Sequence, residues 1–171
     1  RPGTTKRLKI DYPRLRKVNP ALIYASCSGF GHSGPLSELP AYDMIVQAMG
    51  GIMSITGLPE GPPVRVGVSI GDITAALFLT IGINAALYYR EKTGKGSFID
   101  VAMLDSQIAI LENAIVRYWV TGKSPTPLGS RHALITPFQA FKTKDSYIII
   151  AVGNEKIWKR FCKAIRREDL L

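Results

Sequence analysis

The chain has 171 residues, a formal net charge of +9, 46% hydrophobic residues and 20% charged residues. This composition excludes an intrinsically disordered chain, because disorder goes with low hydrophobicity and a high density of charge. The length suffices for a sizeable core in one domain, or in one domain and part of another. The positive charge favours polyanionic partners such as nucleic acid, an anionic membrane or a phosphate-bearing cofactor.

Cysteine usage and hydropathy give no sign of a metal site or a membrane. Cys27 and Cys162 lie far apart, and neither has a Cys or His at metal-ligand spacing. We therefore expect no metal, and a reducing compartment is the default. No signal peptide pattern is present. The longest apolar run, 73–89, is interrupted by Thr, Gly and Asn, so we predict a buried helix rather than a membrane span.

The organisation of the chain follows from its ends and its prolines. It begins at Arg1 without Met and stops at Leu171 directly after a predicted helix, so we expect an internal segment of a longer protein. The pattern changes after Pro125 and Pro127. This change predicts a domain boundary that divides the chain into 1–122 and 123–171.

The first predicted elements precede the longest helix. Residues 4–18 are basic and weakly amphipathic. The short apolar stretch 21–28 is followed by glycine and predicts a buried strand. Asp43 is placed to cap a short helix over 43–51. A further strand is predicted at 64–69, after a loop rich in Gly and Pro.

The longest helical pattern follows directly. Asp72 is predicted to be its N-cap, and Arg90 and Lys92 lie in its last turn, where cations suit the helix dipole. A strand at 98–103 and one continuous helix at 105–120 come next. The region up to residue 122 therefore alternates between strands and helices.

The remainder of the chain predicts a hairpin and a basic helix. Apolar stretches at 138–141 and 147–152 flank a polar turn. Asn154 then caps a helix with cations on related faces. Few aromatic residues accompany this charge and no nucleic-acid motif is present, so we predict a solvated face and no nucleic-acid partner.

Two glycine-rich motifs invite a phosphate-binding interpretation that we reject. The G-x-G-x-x-G at 29–34 follows a predicted strand, but Pro35 stands where the phosphate-binding helix has to open. In the Gly-Lys-Gly at 94–96, no Ser or Thr follows the lysine, so a helix C-cap is the better interpretation. His32 and His132 are single loop histidines without the pattern of a catalytic triad.

A series of short phrases carries a family resemblance by its order and spacing, which run from about residue 2 to residue 165. The phrases are Asn19-Pro20-Ala21-Leu22-Ile23-Tyr24, Ser28-Gly29-Phe30-Gly31-His32-Ser33-Gly34-Pro35, Tyr42-Asp43 with Gln47-Ala48, Thr56-Gly57, Gly61-Pro62-Pro63-Val64-Arg65-Val66-Gly67, Gly71-Asp72, Arg90-Glu91-Lys92-Thr93-Gly94-Lys95-Gly96 and Asp100-Val101-Ala102-Met103. Each phrase alone is weak. Together they resemble the class III CoA-transferases, the family of formyl-CoA and carnitine CoA-transferases.

The resemblance implies that Asp72 is the catalytic residue. In the family, the aspartate after this glycine attacks an acyl-CoA thioester, and an anhydride and an aspartyl-CoA thioester follow. From the residues alone, a helix cap is the simpler interpretation of Asp72, and the two roles are compatible. The expected activity is acyl-CoA:carboxylate CoA transfer, with acyl-CoA and a carboxylic acid as substrates and no permanently bound cofactor.

The resemblance also implies five substrate-binding residues. Tyr42 is expected to line the acyl pocket. A glycine-bearing loop shields the intermediates in relatives, and it corresponds here to Gly129, Ser130, Arg131 and His132. In formyl-CoA transferase this stretch is nearly all glycine.

Two other functions stay open beside CoA transfer. The α-methylacyl-CoA racemases of the same family pair the aspartate with a His about thirty positions upstream, where this chain has Tyr42. A phenol, with a pKa near 10, shuttles protons poorly near neutral pH, so Tyr42 favours the transferase. The third hypothesis is a catalytically inert fragment that acts only in oligomerisation.

The fold implied by the resemblance is α/β. It comprises part of a Rossmann-like large domain, residues 1–122, and the start of a smaller α+β domain, residues 123–171. Relatives form homodimers whose two chains interlock like links. We expect a cytoplasmic protein, or one of the mitochondrial matrix in a eukaryote, without a membrane partner.

Overall fold

The computed structural model describes residues 2–171 and contains both helices and strands. In chain order the elements are α1 (Thr4–Arg7), α2 (Tyr12–Val18), β1 (Ile23–Ser28), α3 (Asp43–Met49), α4 (Ile52–Ile55), α5 (Ile70–Thr93), β2 (Ser97–Ala102), α6 (Met103–Ala109), α7 (Asn113–Thr121), β3 (Phe138–Lys142), β4 (Tyr147–Ala151), α8 (Glu155–Ala164) and a 3-10 turn (Glu168–Leu170). The fold is therefore mixed α/β, as the sequence predicts.

The chain divides into two compact units. The first consists of Arg1–Thr56 and Pro63–Pro125, and the second of Gly57–Pro62 and Thr126–Leu171. Each unit has a sheet of its own. Strands β1 and β2 pair in parallel in the first, and β3 and β4 pair antiparallel in the second.

The parallel sheet of the first unit is packed against the long helix α5. The register pairs Tyr24 with Phe98 and Ala25 with Ile99. A Cβ added at Gly82 of α5 would lie 2.9 Å from Cγ2 of Ile99, so the helix approaches the strand too closely for a side chain there. Parallel strands need a crossover connection, and α5 is the main element of the connection between β1 and β2.

A small buried core lies where three helices meet. Val46 of α3, Ala75 of α5 and Met103 of α6 form its buried cluster. Partly buried apolar side chains pack around this cluster, namely Ala41, Val101 and Leu104. Burial of apolar surface at this junction fixes the start of α5 against α3 and α6.

Most residues of helix α5 are not buried, which corrects the prediction of a buried helix. By length and composition the 24 residues of α5 could cross a membrane. An 18-residue window of this helix has a mean hydropathy of 1.7, and 22% of that window is buried. Leu77 and Ile81 are 59% and 63% exposed. The helix is apolar on nearly all sides, so hydropathy gives no means of telling its covered face from its open one.

The second unit contains the predicted hairpin and capped helix. Register pairs run from Phe138 with Ala151 to Lys142 with Tyr147. The Asn154 side chain accepts a hydrogen bond of 3.0 Å from the backbone N–H of Ile157, so Asn154 is the N-cap of α8. Both predictions are confirmed.

Two predicted elements are wrong. Residues 64–69 form no strand within the described part of the chain, because the backbone N–H of Val66 donates to the Gln47 side chain at 2.8 Å instead of to a neighbouring strand. The continuous helix over 105–120 is broken into α6 and α7. Glu112 lies between them with φ of 49°, a left-handed backbone that an α-helix excludes.

The close approach of Gly96 to β1 generates a stability prediction. An added Cβ would lie 2.0 Å from the carbonyl oxygen of Leu22. Strand pairing holds that oxygen, so Gly96→Ala should destabilise the protein by about 3 kcal/mol or more in urea unfolding. Gly67→Ala is the control, because a Cβ there meets nothing within 4 Å. Equal free energies of unfolding for Gly96→Ala and Gly67→Ala would contradict the prediction, because the backbone at Leu22 would then have moved to accommodate the methyl group.

Candidate active site

Asp72 lies in the first turn of α5 and is exposed to solvent. The prediction that it is the N-cap is wrong. The helix begins two residues earlier, at Ile70, and its N-cap is Ser69, which makes no side-chain capping bond. Asp72 therefore belongs to the helical turn itself, where the unpaired N–H groups favour a negative charge.

Capping of α5 is supplied by a different helix. The Asp43 carboxylate accepts a hydrogen bond of 2.8 Å from the backbone N–H of Gly71. Asp43 was predicted to cap α3, but the N-cap of α3 is Tyr42, and Asp43 is the first helical residue. Its side chain is turned toward α5 and satisfies one of the N–H groups that a helix start leaves unpaired. Asp43 thereby fixes the backbone next to Asp72.

Gly71 leaves room for this contact. A Cβ at Gly71 would lie 2.6 Å from Cγ2 of Val46 and 3.0 Å from Oδ1 of Asp43. Val46 is fully buried, so it has little freedom to give way. The residue before Asp72 must therefore be glycine if α3 and α5 are to keep this distance.

Cys27, at the end of β1, lies close enough to Asp72 to respond to its charge. Cys27 is exposed as a residue, yet its thiol is partly covered. This burial raises the pKa of Cys27, and the negative charges of Asp72 and Asp100 raise it further. The thiol is thus held in its protonated, weakly nucleophilic form beside the exposed carboxylate of Asp72.

Tyr42 and Asp72 lie at the same end of α5. Tyr42 directly precedes Asp43, whose carboxylate binds Gly71, the neighbour of Asp72. The Tyr42 side chain is 81% exposed. Its aromatic ring is therefore open to solvent, and its role in substrate binding stays a prediction.

The predicted substrate loop lies in the second unit, where most of its polar groups have local partners. Gly129 has φ of 62° and donates its N–H to the carbonyl oxygen of Gly57 at 2.8 Å. Ser130 Oγ accepts from the N–H of Ala140 at 3.1 Å. His132 Nδ1 accepts from two backbone N–H groups at 3.1 Å, whereas Arg131 is exposed. The side chains of Ser130 and His132 therefore hold the loop backbone through these hydrogen bonds.

A basic, aromatic cleft in the first unit was missed by the sequence reasoning. It has a volume of about 560 Å³. Its polar and aromatic lining comprises Thr5, Lys6, Asp11, Tyr12, Arg14, Lys17, Tyr24, His32 and Phe98. The Tyr12 and Phe98 rings stack with their centroids 5.4 Å apart. The lining residues are spread over nearly a hundred positions of the sequence. The parallel pairing of Tyr24 with Phe98 and the stacking of Tyr12 on Phe98 bring them together.

His32 contributes an imidazole to this cleft. Its Nε2 lies 2.7 Å from Ser26 Oγ, and its backbone N–H donates to Asp100 at 2.7 Å. The loop 29–34 contains no helix, in agreement with the rejection of a dinucleotide motif. Among residues 2–171, no cluster of three or more His, Cys, Asp or Glu side chains is arranged to hold a metal ion.

Comparison with known proteins places the chain in a family. A family model described as CoA-transferase family III matches residues 1–171, and the chain belongs to this family. It is 48% identical over 171 residues to the acetyl-CoA:oxalate CoA-transferase of Acetobacter aceti, covering 99% of the chain and 44% of that relative. It is 42% identical over 156 residues to the succinate–glutarate CoA-transferase of Agrobacterium fabrum, covering 91% and 39%.

A solved structure supports the same placement. The crystal structure of a CAIB/BAIF family protein from Brucella suis matches with a TM-score of 0.84 and 40% identity. The match covers 98% of the chain and 44% of that protein. The chain thus spans less than half the length of each of these relatives.

The proximity of Cys27 to Asp72 generates a prediction about thiol reactivity. Asp72→Asn removes one of the charges that raise the pKa of Cys27, so the thiolate fraction at pH 8 should increase. Alkylation by iodoacetamide should be roughly two- to fivefold faster, with its pH midpoint still above the ordinary value because burial remains. Buried Cys162 should not react in the folded protein.

Asp105→Asn is the matched control for this measurement, since Asp105 is an exposed carboxylate in the first turn of α6. It does not act on the pKa of Cys27 and should leave the alkylation rate unchanged. An Asp72→Asn variant with the wild-type rate would contradict the placement of the carboxylate beside the thiol.

Proposed function

We propose that the protein is an enzyme, an acyl-CoA:carboxylate CoA-transferase with Asp72 as its nucleophile. The observation that carries the proposal is the exposed carboxylate in the first turn of α5, on a backbone held by Asp43. Asp72 follows Gly71, at the position where the class III family has its catalytic aspartate. The relatives named above are CoA-transferases by name, which supports the same activity.

The proposed reaction divides one exchange into steps between acyl derivatives. The Asp72 carboxylate attacks the thioester carbonyl of the donor, and the CoA thiolate leaves as a mixed anhydride forms. The thiolate then attacks the aspartyl carbonyl and releases the first acid as its carboxylate. The acceptor carboxylate displaces the thiolate from the aspartyl thioester, and the thiolate finally takes the new acyl group and regenerates Asp72.

The environment of Asp72 suits this role. Its carboxylate is open to a substrate, and the neighbouring Cys27 thiol is held protonated by burial and by the charges of Asp72 and Asp100. A thiol is a far weaker nucleophile than a thiolate. Cys27 therefore does not compete with free CoA thiolate for the acyl intermediates.

We propose that the basic, aromatic cleft receives the nucleotide part of CoA. Lys6 and Lys17 supply positive charge for phosphate groups, whereas Arg14 is paired with Asp11, and Tyr12 and Phe98 supply flat surfaces for a base. The net charge of +9 would attract the same polyanion from solution. CoA is a substrate in this proposal, and no permanently bound cofactor is required.

The names of the relatives and the loop of the second unit support a proposal for the acceptor class. The relatives named above carry oxalate, succinate and glutarate in their names. We propose a short dicarboxylate as the acceptor, with Tyr42, Gly129, Ser130, Arg131 and His132 as substrate-binding residues. Exposed Arg131 offers a guanidinium whose geometry matches a carboxylate.

The larger architecture is also a proposal. We assign residues 1–122 to a Rossmann-like large domain and residues 123–171 to the beginning of a small domain. We further propose a homodimer in the cytoplasm, or in the matrix of a mitochondrion, without a nucleic-acid or membrane partner. The parallel pairing of β1 and β2 around the crossover that contains α5 supports the Rossmann-like assignment.

A covalent trap tests the role of Asp72. In the native full-length protein, acyl-CoA followed by hydroxylamine should place a hydroxamate on Asp72, detected by mass spectrometry. Asp72→Ala should lower the exchange rate at least roughly a thousandfold, as expected for loss of a nucleophile. Asp105→Asn, a change in another exposed first-turn aspartate, should keep wild-type exchange. Near-normal exchange in Asp72→Ala would sink the assignment.

The racemase alternative is tested by hydrogen exchange at the α carbon. Because Tyr42 stands in place of the racemase His, a 2-methylacyl-CoA in heavy water should gain deuterium far more slowly than CoA is transferred. The phenol has a pKa near 10 and gives up its proton too rarely for fast shuttling. Mass spectrometry measures both rates in one sample. Deuterium uptake as fast as transfer would overturn the choice of transferase.

A further inference from the structure

Gln47 on α3 is a polar side chain that is completely buried, with 0% of its surface exposed. An amide taken out of water costs free energy unless its donors and acceptor are paired. A buried amide with good partners can hold those partners in fixed positions. The partners of Gln47 therefore indicate what it contributes.

The two ends of the Gln47 amide bind different segments. Nε2 donates to Oδ2 of Asp43 at 2.7 Å and to the carbonyl oxygen of Val68 at 3.4 Å. Oε1 accepts from the backbone N–H of Val66 at 2.8 Å. One side chain thus connects α3 to the segment of non-regular backbone that leads into α5.

These contacts reach Asp72 by two routes. The other carboxylate oxygen of Asp43 accepts from Gly71 N–H at 2.8 Å, directly before Asp72. The Val68 carbonyl oxygen, which Gln47 also binds, accepts a backbone hydrogen bond of 2.8 Å from the N–H of Ile70. Asp72 is exposed, so the position of its carboxylate depends on the backbone that carries it.

We propose that Gln47 is a positioning residue for the chemistry at Asp72. This inference rests on the proposed function. Gln47 orients the Asp43 carboxylate and holds Val66 and Val68, and together these contacts set the place and direction of the first turn of α5. Covalent catalysis is sensitive to displacement of the nucleophile on the scale of one ångström, so loosening this network should lower kcat.

If Gln47 only stabilised the fold, its replacement would affect kcat no more than the loss of another buried amide. Gln107 provides the matched control. Gln107 is also 0% exposed and donates to Oγ1 of Thr74 on α5 at 3.2 Å, one turn further along the helix. It makes no bond to Asp43 or to 66–71. Gln47→Met and Gln107→Met each remove a buried amide, but only the first removes the side-chain contacts to Asp43, Val66 and Val68. Gln107 acts one step further away, through Thr74 Oγ1, which keeps its own bonds to the carbonyl oxygens of Ile70 and Gly71 in Gln107→Met.

The decisive experiment exchanges amide and carboxylate in the native full-length protein. Gln47→Glu places two carboxylates against each other, and Asp43→Asn places two amide donors against each other. The double variant Asp43→Asn/Gln47→Glu restores the hydrogen bond with its direction reversed. The acceptors for the N–H groups of Gly71 and Val66 are retained and the net charge is unchanged, whereas the longer contact to the Val68 carbonyl oxygen, 3.4 Å in the wild type, is lost.

The expected result concerns kcat rather than KM. Each single variant should lose roughly tenfold to a hundredfold in kcat, and the double variant should recover to within about tenfold of wild type. Gln47→Met should lose kcat to a similar extent, whereas Gln107→Met should keep it even if its Tm falls equally. KM for acyl-CoA should change less than threefold throughout, by the same reasoning that only nucleophile placement is altered.

Three outcomes would overturn the inference: single variants with wild-type kcat, a double variant no better than its singles, or equal loss of kcat in Gln47→Met and Gln107→Met. If Gln47→Glu does not fold, the two Met variants decide the question. The Asp72→Ala variant separates this inference from the proposed function. Full activity in Asp72→Ala rejects the function itself, while an inactive Asp72→Ala with normal Gln47 variants rejects only the positioning role.

Discussion

The start of α5, and with it the position of Asp72, depends on a hydrogen bond from the N–H of Gly71 to the carboxylate of Asp43. The start of a helix normally finds its cap in the preceding few residues, but α5 takes its cap from another helix. The absence of a side chain at Gly71 permits the approach, and buried Val46 lies directly beneath it. The capping bond, the packing of Gly71 against Val46 and the position of Asp72 therefore depend on one another.

The parallel sheet separates two chemical environments. Successive residues of a strand face opposite sides, so Phe98 lines the cleft while Ile99 meets α5 at Gly82. The cleft is cationic and aromatic, whereas the other face presents Asp72 beside Cys27 at the carboxyl end of β1. In open α/β sheets, ligands bind beyond the carboxyl ends of the strands.

Local sequence signals predicted the elements that local physics determines. The strands β1 and β2, the β3–β4 hairpin and the Asn154 cap follow from alternation, apolar runs and capping chemistry. The missed features depend on distant residues. Asp43 is a good local cap by composition, yet its partner is Gly71, and the 64–69 segment looks like a strand but pairs with the Gln47 side chain. The roles of Asp72 and Tyr42 came only from resemblance, since neither has a local pattern that specifies chemistry.

The assignment of Gly57–Pro62 to the second unit has a practical consequence. The backbone passes from one unit to the other three times, at residues 56–57, 62–63 and 125–126. No single cut can release the second unit intact, because part of it lies inside the sequence of the first. An expression boundary drawn at residue 125 would leave the Gly129 N–H without its Gly57 partner. The second unit can therefore be produced alone only if 57–62 is joined directly to 126–171, with 63–125 left out.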